Sequence, residues 1–297
     1  MPEARNPEPL KSPEALNHAL RWSLKAALLA AAAFTMSACS VLDRTTHAEA
    51  LAQPAGLARE QIDTGTFVLT AWSRVARRDQ DVTIYLEGDG LASLSSSQPS
   101  LDPTPAKATG LTLAAADPAS NVAYLARPCQ FTPMEVNPRC GVPYWTSRRF
   151  SPEVIDAMNV AIDRLAARVP GRRINLVGYS GGAAIAVLVA ARRHDVASIR
   201  TVAGNLDDEY INQLHGVSAM PESENPIDHA RQVANVPQLH FSGADDEVVP
   251  PSVAARFIAA TGARCAHHRI VPGVAHEGEW AKRWPALLAE QPLCTDR

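Results

Sequence analysis

Apolar and polar positions along this chain alternate between short apolar runs and longer segments of helical spacing. The run Arg173-Ile174-Asn175-Leu176-Val177 ends at Gly178-Tyr179-Ser180-Gly181-Gly182, and residues 183–191 beyond it are almost wholly apolar. This pattern predicts a buried strand that turns directly into a buried helix. Asp81-Val82-Thr83-Ile84-Tyr85-Leu86 alternates as a second strand, and residues 121–126, 199–203, 236–242 and 269–271 predict others. Ser151-Pro152-Glu153 opens a helix that runs to about Arg168, with an N-cap serine, proline at the first helical position and an acid in the first turn. Strands alternating with helices predict an α/β fold built on a mostly parallel, doubly wound sheet with helices on both faces. The Ser/Pro-rich segment 93–105 predicts a mobile surface loop next to the strand at 81–86.

Chemistry gathers where these strands end. Gly178-x-Ser180-x-Gly182 sits at a strand-to-helix turn, the context of a nucleophile elbow, where small residues allow the chain to reverse without backbone clashes. The turn puts the Ser180 hydroxyl at a helix N-terminus, whose free N–H groups favour developing negative charge. A serine hydroxyl is a poor nucleophile without a base, and the base needs an orienting acid. His276, in Pro272-Gly273-Val274-Ala275-His276, follows the strand at 269–271. Asp246, in Gly243-Ala244-Asp245-Asp246-Glu247-Val248-Val249-Pro250, follows the strand at 236–242. Two other acids stay open: the adjacent Asp245, and Asp207 after the strand at 199–203, which with Asp208 also reads as a helix N-cap. His240 lies inside a core strand and reads as a packed imidazole. No pair of histidines has the spacing or supporting carboxylates of a zinc site, so no metal is expected.

On these motifs the chain resembles the α/β-hydrolases from about Gln61 to the C-terminus: the order Ser…Asp…His, each after a strand, is theirs. The resemblance implies a triad of Ser180, Asp246 and His276, and an oxyanion hole made by the N–H groups of Gly181 and Asp89. It also implies a carboxylesterase-like hydrolase working through an acyl-enzyme on a small-molecule or lipid-like ester, with no cofactor. The same triad serves peptidases, amidases and thioesterases, and a non-catalytic protein could retain the fold. One departure stands out. The family usually carries His-Gly-x-Gly where this chain has Glu87-Gly88-Asp89-Gly90, so the Asp89 carboxylate must point away from an oxyanion or be paired. Together with residues 126–131 and 144–151, this pattern resembles a group of bacterial envelope lipoprotein hydrolases. Arg127, at the end of the strand at 121–126, reads more readily as a structural ion pair than as a substrate ligand.

The N-terminus adds an address. Arg21 and Lys25 precede an apolar stretch at 26–34, which is followed by Thr35-Met36-Ser37-Ala38-Cys39. A basic start, a short apolar stretch and small residues form a secretory signal, and the apolar stretch falls below the roughly 18–20 residues needed to span a bilayer. Cysteine directly after the small residues resembles a bacterial lipoprotein signal, which implies lipid on Cys39 and anchoring to the membrane. Ser40 favours the periplasmic face of the outer membrane. The expected division is a signal at 1–38, a tether at 39–60 and a hydrolase domain at 61–297. Of five cysteines, Cys129, Cys140, Cys265 and Cys294 remain, an even number that suggests two disulfides in an oxidising compartment. Of the three possible pairings, Cys129–Cys140 with Cys265–Cys294 is the most local. A net charge of −3 and the lack of a basic stripe argue against nucleic-acid binding.

Overall fold

The computed structural model describes residues 43–95 and 98–295. Eight strands form the central sheet: β1 (Ala58–Asp63), β2 (Val68–Val75), β3 (Val82–Leu86), β6 (Asn121–Leu125), β7 (Ile174–Tyr179), β8 (Val196–Val202), β9 (Gln238–Gly243) and β10 (Ala266–Val271). Their order is β1-β2-β6-β3-β7-β8-β9-β10. The β1–β2 and β2–β6 pairs are antiparallel and all other neighbours are parallel. Two short strands, β4 (Ser93–Ser95) and β5 (Gln98–Pro99), pair with each other apart from this sheet.

The period-two alternation of the strands divides the core between two faces. In β3, Val82, Ile84 and Leu86 share a cluster with Met158, Ile162 and Leu188. Tyr85 points the other way and packs in a cluster with Leu111 and Trp284. The first face is covered by α3 (Pro152–Ala166), α4 (Gly181–Ala190) and α6 (Pro251–Thr261). The second is covered by α1 (residues 43–52), α2 (Thr109–Ala116) and α7 (Trp280–Ala289). Every residue of α4 is buried, which accounts for its lack of a polar side. A further helix, α5 (Asp208–His215), follows β8. After β6 the chain crosses over β3 to add β7, so the growth of the sheet reverses there. Ligand crevices of open α/β sheets lie beyond the carboxyl ends of the strands at such a point.

One expectation needs correction. The tether expected at 39–60 is, over residues 44–60, part of the folded unit. Ala48 and Ala52 of α1 are buried, Arg44 pairs with Asp102 at 3.0 Å, and β1 pairs with β2 along its full length. The physical reason is size: alanines one turn apart let α1 lie close on the domain, while in sequence they look like linker composition. In the segment at 93–105, β4 pairs with β5, and the Leu91 N–H just before it donates to the Pro103 carbonyl at 3.1 Å. Cys129 is bonded to Cys140 and Cys265 to Cys294, the latter fixing the chain beyond α7 to the start of β10. The signal at 1–38 and Cys39 lie outside the described residues.

Candidate active site

Ser180 follows β7 and opens α4 with φ +50° and ψ −121°, in the left-handed half of the map that side chains rarely adopt. The reversal demands close backbone approach: a Cβ on Gly182 would come within 2.2 Å of the Leu86 carbonyl oxygen. The turn is held by bonds from Ser180 N–H to the Val202 carbonyl and from Asn205 N–H to the Ser180 carbonyl, each 3.0 Å. Across the gap, the Ser180 Oγ lies 3.0 Å from Nε2 of His276. His276 Nδ1 lies 3.0 Å from Oδ2 of Asp246. The other oxygen of Asp246 accepts the N–H groups of Val248 at 3.0 Å and Val249 at 2.8 Å. An imidazole with its proton on Nδ1, toward Asp246, presents Nε2 to the Ser180 hydroxyl as an acceptor. The His276 loop is itself clamped, since its backbone carbonyl accepts from Tyr179 Oη at 3.1 Å and Trp280 Nε1 at 3.0 Å.

The structure separates the three candidate acids. Asp246 is buried against His276, whereas Asp245 is exposed and lines the adjoining cavity. Asp207 caps α5, accepting from Tyr210 N–H at 3.2 Å, and pairs with Arg256 at 2.8 Å.

Glu87 stands where the resemblance implies a histidine, and it is a different anchor. Its carboxylate is fully buried and accepts the N–H groups of Gly88 at 2.9 Å and Gly110 at 3.2 Å and the hydroxyl of Tyr124 at 2.9 Å. Gly110 lies in the first turn of α2, so Glu87 ties the loop after β3 to a helix N-terminus. Burial pushes its carboxyl up, and these donors oppose the shift. Asp89 packs over the elbow: a Cβ on Gly181 would meet its Oδ1 at 2.2 Å. Among the described residues, neither the Asp89 nor the Gly181 N–H donates to another atom of the chain. The carboxylate of Asp89 is paired with Arg127 at 3.1 Å, and Arg149 approaches it at 3.6 Å. Arg149 also reaches Asp208 at 3.4 Å; the sequence places Arg149 ahead of a helix and Asp208 at a helix N-cap, but nothing in it joins either of them to Asp89. Burial pushes the Asp208 carboxyl up to about 6, against the pull of Arg149.

Ser180 and His276 open onto a cavity of about 620 Å³, walled in part by Asp89, Leu91, Pro105 and Tyr179. His240, within β9, is buried, with Nδ1 2.9 Å from Thr201 Oγ1, and burial pushes its pKa down to about 3. Among the described residues no group of three or more His, Cys, Asp or Glu side chains could hold a metal ion.

No family model and no curated protein matches the chain. Solved structures do resemble it. Est1E from Butyrivibrio proteoclasticus is 14% identical with a TM-score of 0.55, over 79% of this chain and 98% of that one. An alpha-beta serine hydrolase homologue from Coxiella burnetii is 16% identical with a TM-score of 0.53, over 77% and 92%. The acylaminoacyl peptidase of Pyrococcus horikoshii is 13% identical with a TM-score of 0.54 over 78% of this chain, which spans only 40% of the peptidase's length. Sheet order, the elbow between β7 and α4 and these likenesses lead to one conclusion: the chain has the α/β-hydrolase fold.

Proposed function

We propose that the chain is a serine hydrolase that cleaves carboxylic esters. The observation that carries this reading is the relay from Ser180 Oγ through His276 to Asp246, two contacts of 3.0 Å each, opening onto a cavity. His276 Nε2 takes the hydroxyl proton as Ser180 Oγ bonds to the ester carbonyl carbon, and Asp246 stabilises the imidazolium. The N–H groups of Gly181 and Asp89 hold the oxyanion. Collapse breaks the bond to the alcohol, which leaves with the proton from Nε2. Water, deprotonated by His276, then attacks the acyl-enzyme and releases the acid. No cofactor enters this scheme.

A second reading, peptide or amide cleavage by the same residues, is favoured by the fold it shares with the Pyrococcus horikoshii peptidase and a puromycin-hydrolyzing peptidase of Mycobacterium tuberculosis. We further propose that the protein works in the bacterial envelope, lipidated at Cys39 and facing the periplasm from the outer membrane. The basic, apolar and small-residue succession before Cys39 and the two disulfides support that address.

Labelling by a fluorophosphonate, compared with Ser180→Ala, tests the reaction. Serine-dependent labelling is expected, with loss of about 10⁴-fold or more in ester turnover for the variant. Turnover that survives the substitution would discard the mechanism. A panel of ester, thioester and aminoacyl substrates separates the two readings, and the mass of the mature N-terminal peptide tests lipid on Cys39.

A further inference from the structure

Asp89 is an awkward neighbour for a developing oxyanion. Its N–H is one of the two proposed donors, yet its carboxylate rests on Gly181, which carries the other. An uncompensated carboxylate at that place would oppose the negative charge the site must accept.

Four side chains of alternating sign answer the problem. Arg127 Nη1 lies 3.1 Å from Asp89 Oδ1, and Arg149 Nε lies 3.6 Å from Asp89 Oδ2. Arg149 Nη2 then reaches Asp208 Oδ1 at 3.4 Å. The guanidinium groups of Arg127 and Arg149 stack on Phe150, at 5.0 Å and 5.3 Å from its ring centre, and Arg127 also donates to the Arg149 carbonyl. The line of contacts closes on the nucleophile. Asn205 donates from Nδ2 to Asp208 Oδ1 at 2.5 Å and from its backbone N–H to the Ser180 carbonyl at 3.0 Å. The loop after β3, the end of β6, the approach to α3 and the elbow are thereby strapped together. Burying Arg127 this deeply is unfavourable on its own, and its contacts with Asp89 and the Arg149 carbonyl offset that cost.

We infer that Arg127 and Arg149 are positioning residues for the oxyanion site, acting through Asp89 by neutralising its carboxylate and fixing the peptide that carries the second donor. The inference rests on the serine-hydrolase reading. Neither arginine touches the reacting atoms.

A double-mutant cycle in the full chain tests it, read by kcat and KM on a p-nitrophenyl ester and by the rate of fluorophosphonate labelling. Arg127→Met is expected to lower kcat about tenfold or more, with KM within about threefold. In an Asp89→Asn background the same change is expected to cost less than about threefold, because no carboxylate remains to be neutralised. Equal losses in both backgrounds would reduce the arginine to packing and overturn the inference. If Arg127→Met does not fold, Arg149→Met, with Asp89→Asn, reads the same coupling from the more accessible partner. A wild-type chain that shows no Ser180-dependent labelling is a distinct outcome, overturning the hydrolase reading and this inference with it. Labelling with uncoupled cycles overturns only the latter.

Discussion

Tyr179 Oη donates to the backbone carbonyl of His276 at 3.1 Å, so the residue before the proposed nucleophile holds the loop of its proposed base. Trp280 supplies a second donor to the same oxygen. Tyr179→Phe removes one of the two while keeping the ring that lies 5.7 Å from the imidazole. A net hydrogen bond is worth about 1 kcal/mol, so kcat should fall by about fivefold, with little change in KM. Steady-state kinetics on the ester checks this, and a loss beyond about a hundredfold would mean the hydroxyl does more than hold a loop.

The three candidate acids differ in a measurable way. Asp246→Asn should remove about 10⁴-fold in kcat by leaving His276 in the wrong tautomer. Asp245→Asn should stay within a few-fold of the parent. Asp207→Ala should leave chemistry similar but cost about 1 kcal/mol of stability, the worth of a helix cap. Kinetics and urea unfolding on the three variants separate these roles.

Acid unfolding should carry the mark of His240. Burial holds its folded pKa at about 3, below the ordinary 6.5, so the unfolded chain binds one more proton between those values. Its contribution is complete above about pH 6.5 and drains away as pH falls toward 3. Asp208 acts in the opposite sense. Its folded pKa of about 6 lies above the ordinary 3.8, so its contribution is complete below 3.8 and is lost as pH rises through 6. Near pH 5 the two nearly cancel. His240→Asn should therefore lower the slope of unfolding free energy against pH by about 1.3 kcal/mol per pH unit there. Urea titrations between pH 4.5 and 5.5 read that slope, and an unchanged slope would show that His240 protonates in the folded state.

Glu87 tests whether its carboxylate is an anchor. Glu87→Ala leaves the Gly88 and Gly110 N–H groups and the Tyr124 hydroxyl without their acceptor, and should cost about 3 kcal/mol or more. Glu87→Gln keeps one acceptor oxygen, and its new amide can donate to Tyr124, so about 1 kcal/mol is expected. Chemical denaturation of both variants gives the comparison. Equal losses would mean that the charge, not the bonding pattern, is what the site requires.

The doubly wound sheet was legible in the sequence because most of its parallel strands are short apolar runs and the helix after Ser151 carries its own start signal. The approach of Ser180, His276 and Asp246 was legible for a related reason: each residue follows a strand, and parallel strands end on one side of the sheet. The helix at 43–52 was not legible, since alanine is as much at home in a linker as in a close helix contact. Nor was the bond from Glu87 to the start of α2, because nothing local says that Gly110 lies near a loop 23 residues before it. The partnership of Arg149 with both Asp89 and Asp208 was hidden likewise. Ion pairs between distant loops leave no periodicity behind.

Ser180 is held at φ +50°, a conformation that costs a side-chain-bearing residue about 1–3 kcal/mol and costs glycine almost nothing. The molecule therefore contains a site where rigidity and chemistry are rivals. Glycine at position 180 would relax the elbow and raise the melting temperature while deleting the attacking oxygen. A directed-evolution campaign that selected only for survival of heat would be drawn toward that substitution, and its most robust descendants would be the inert ones.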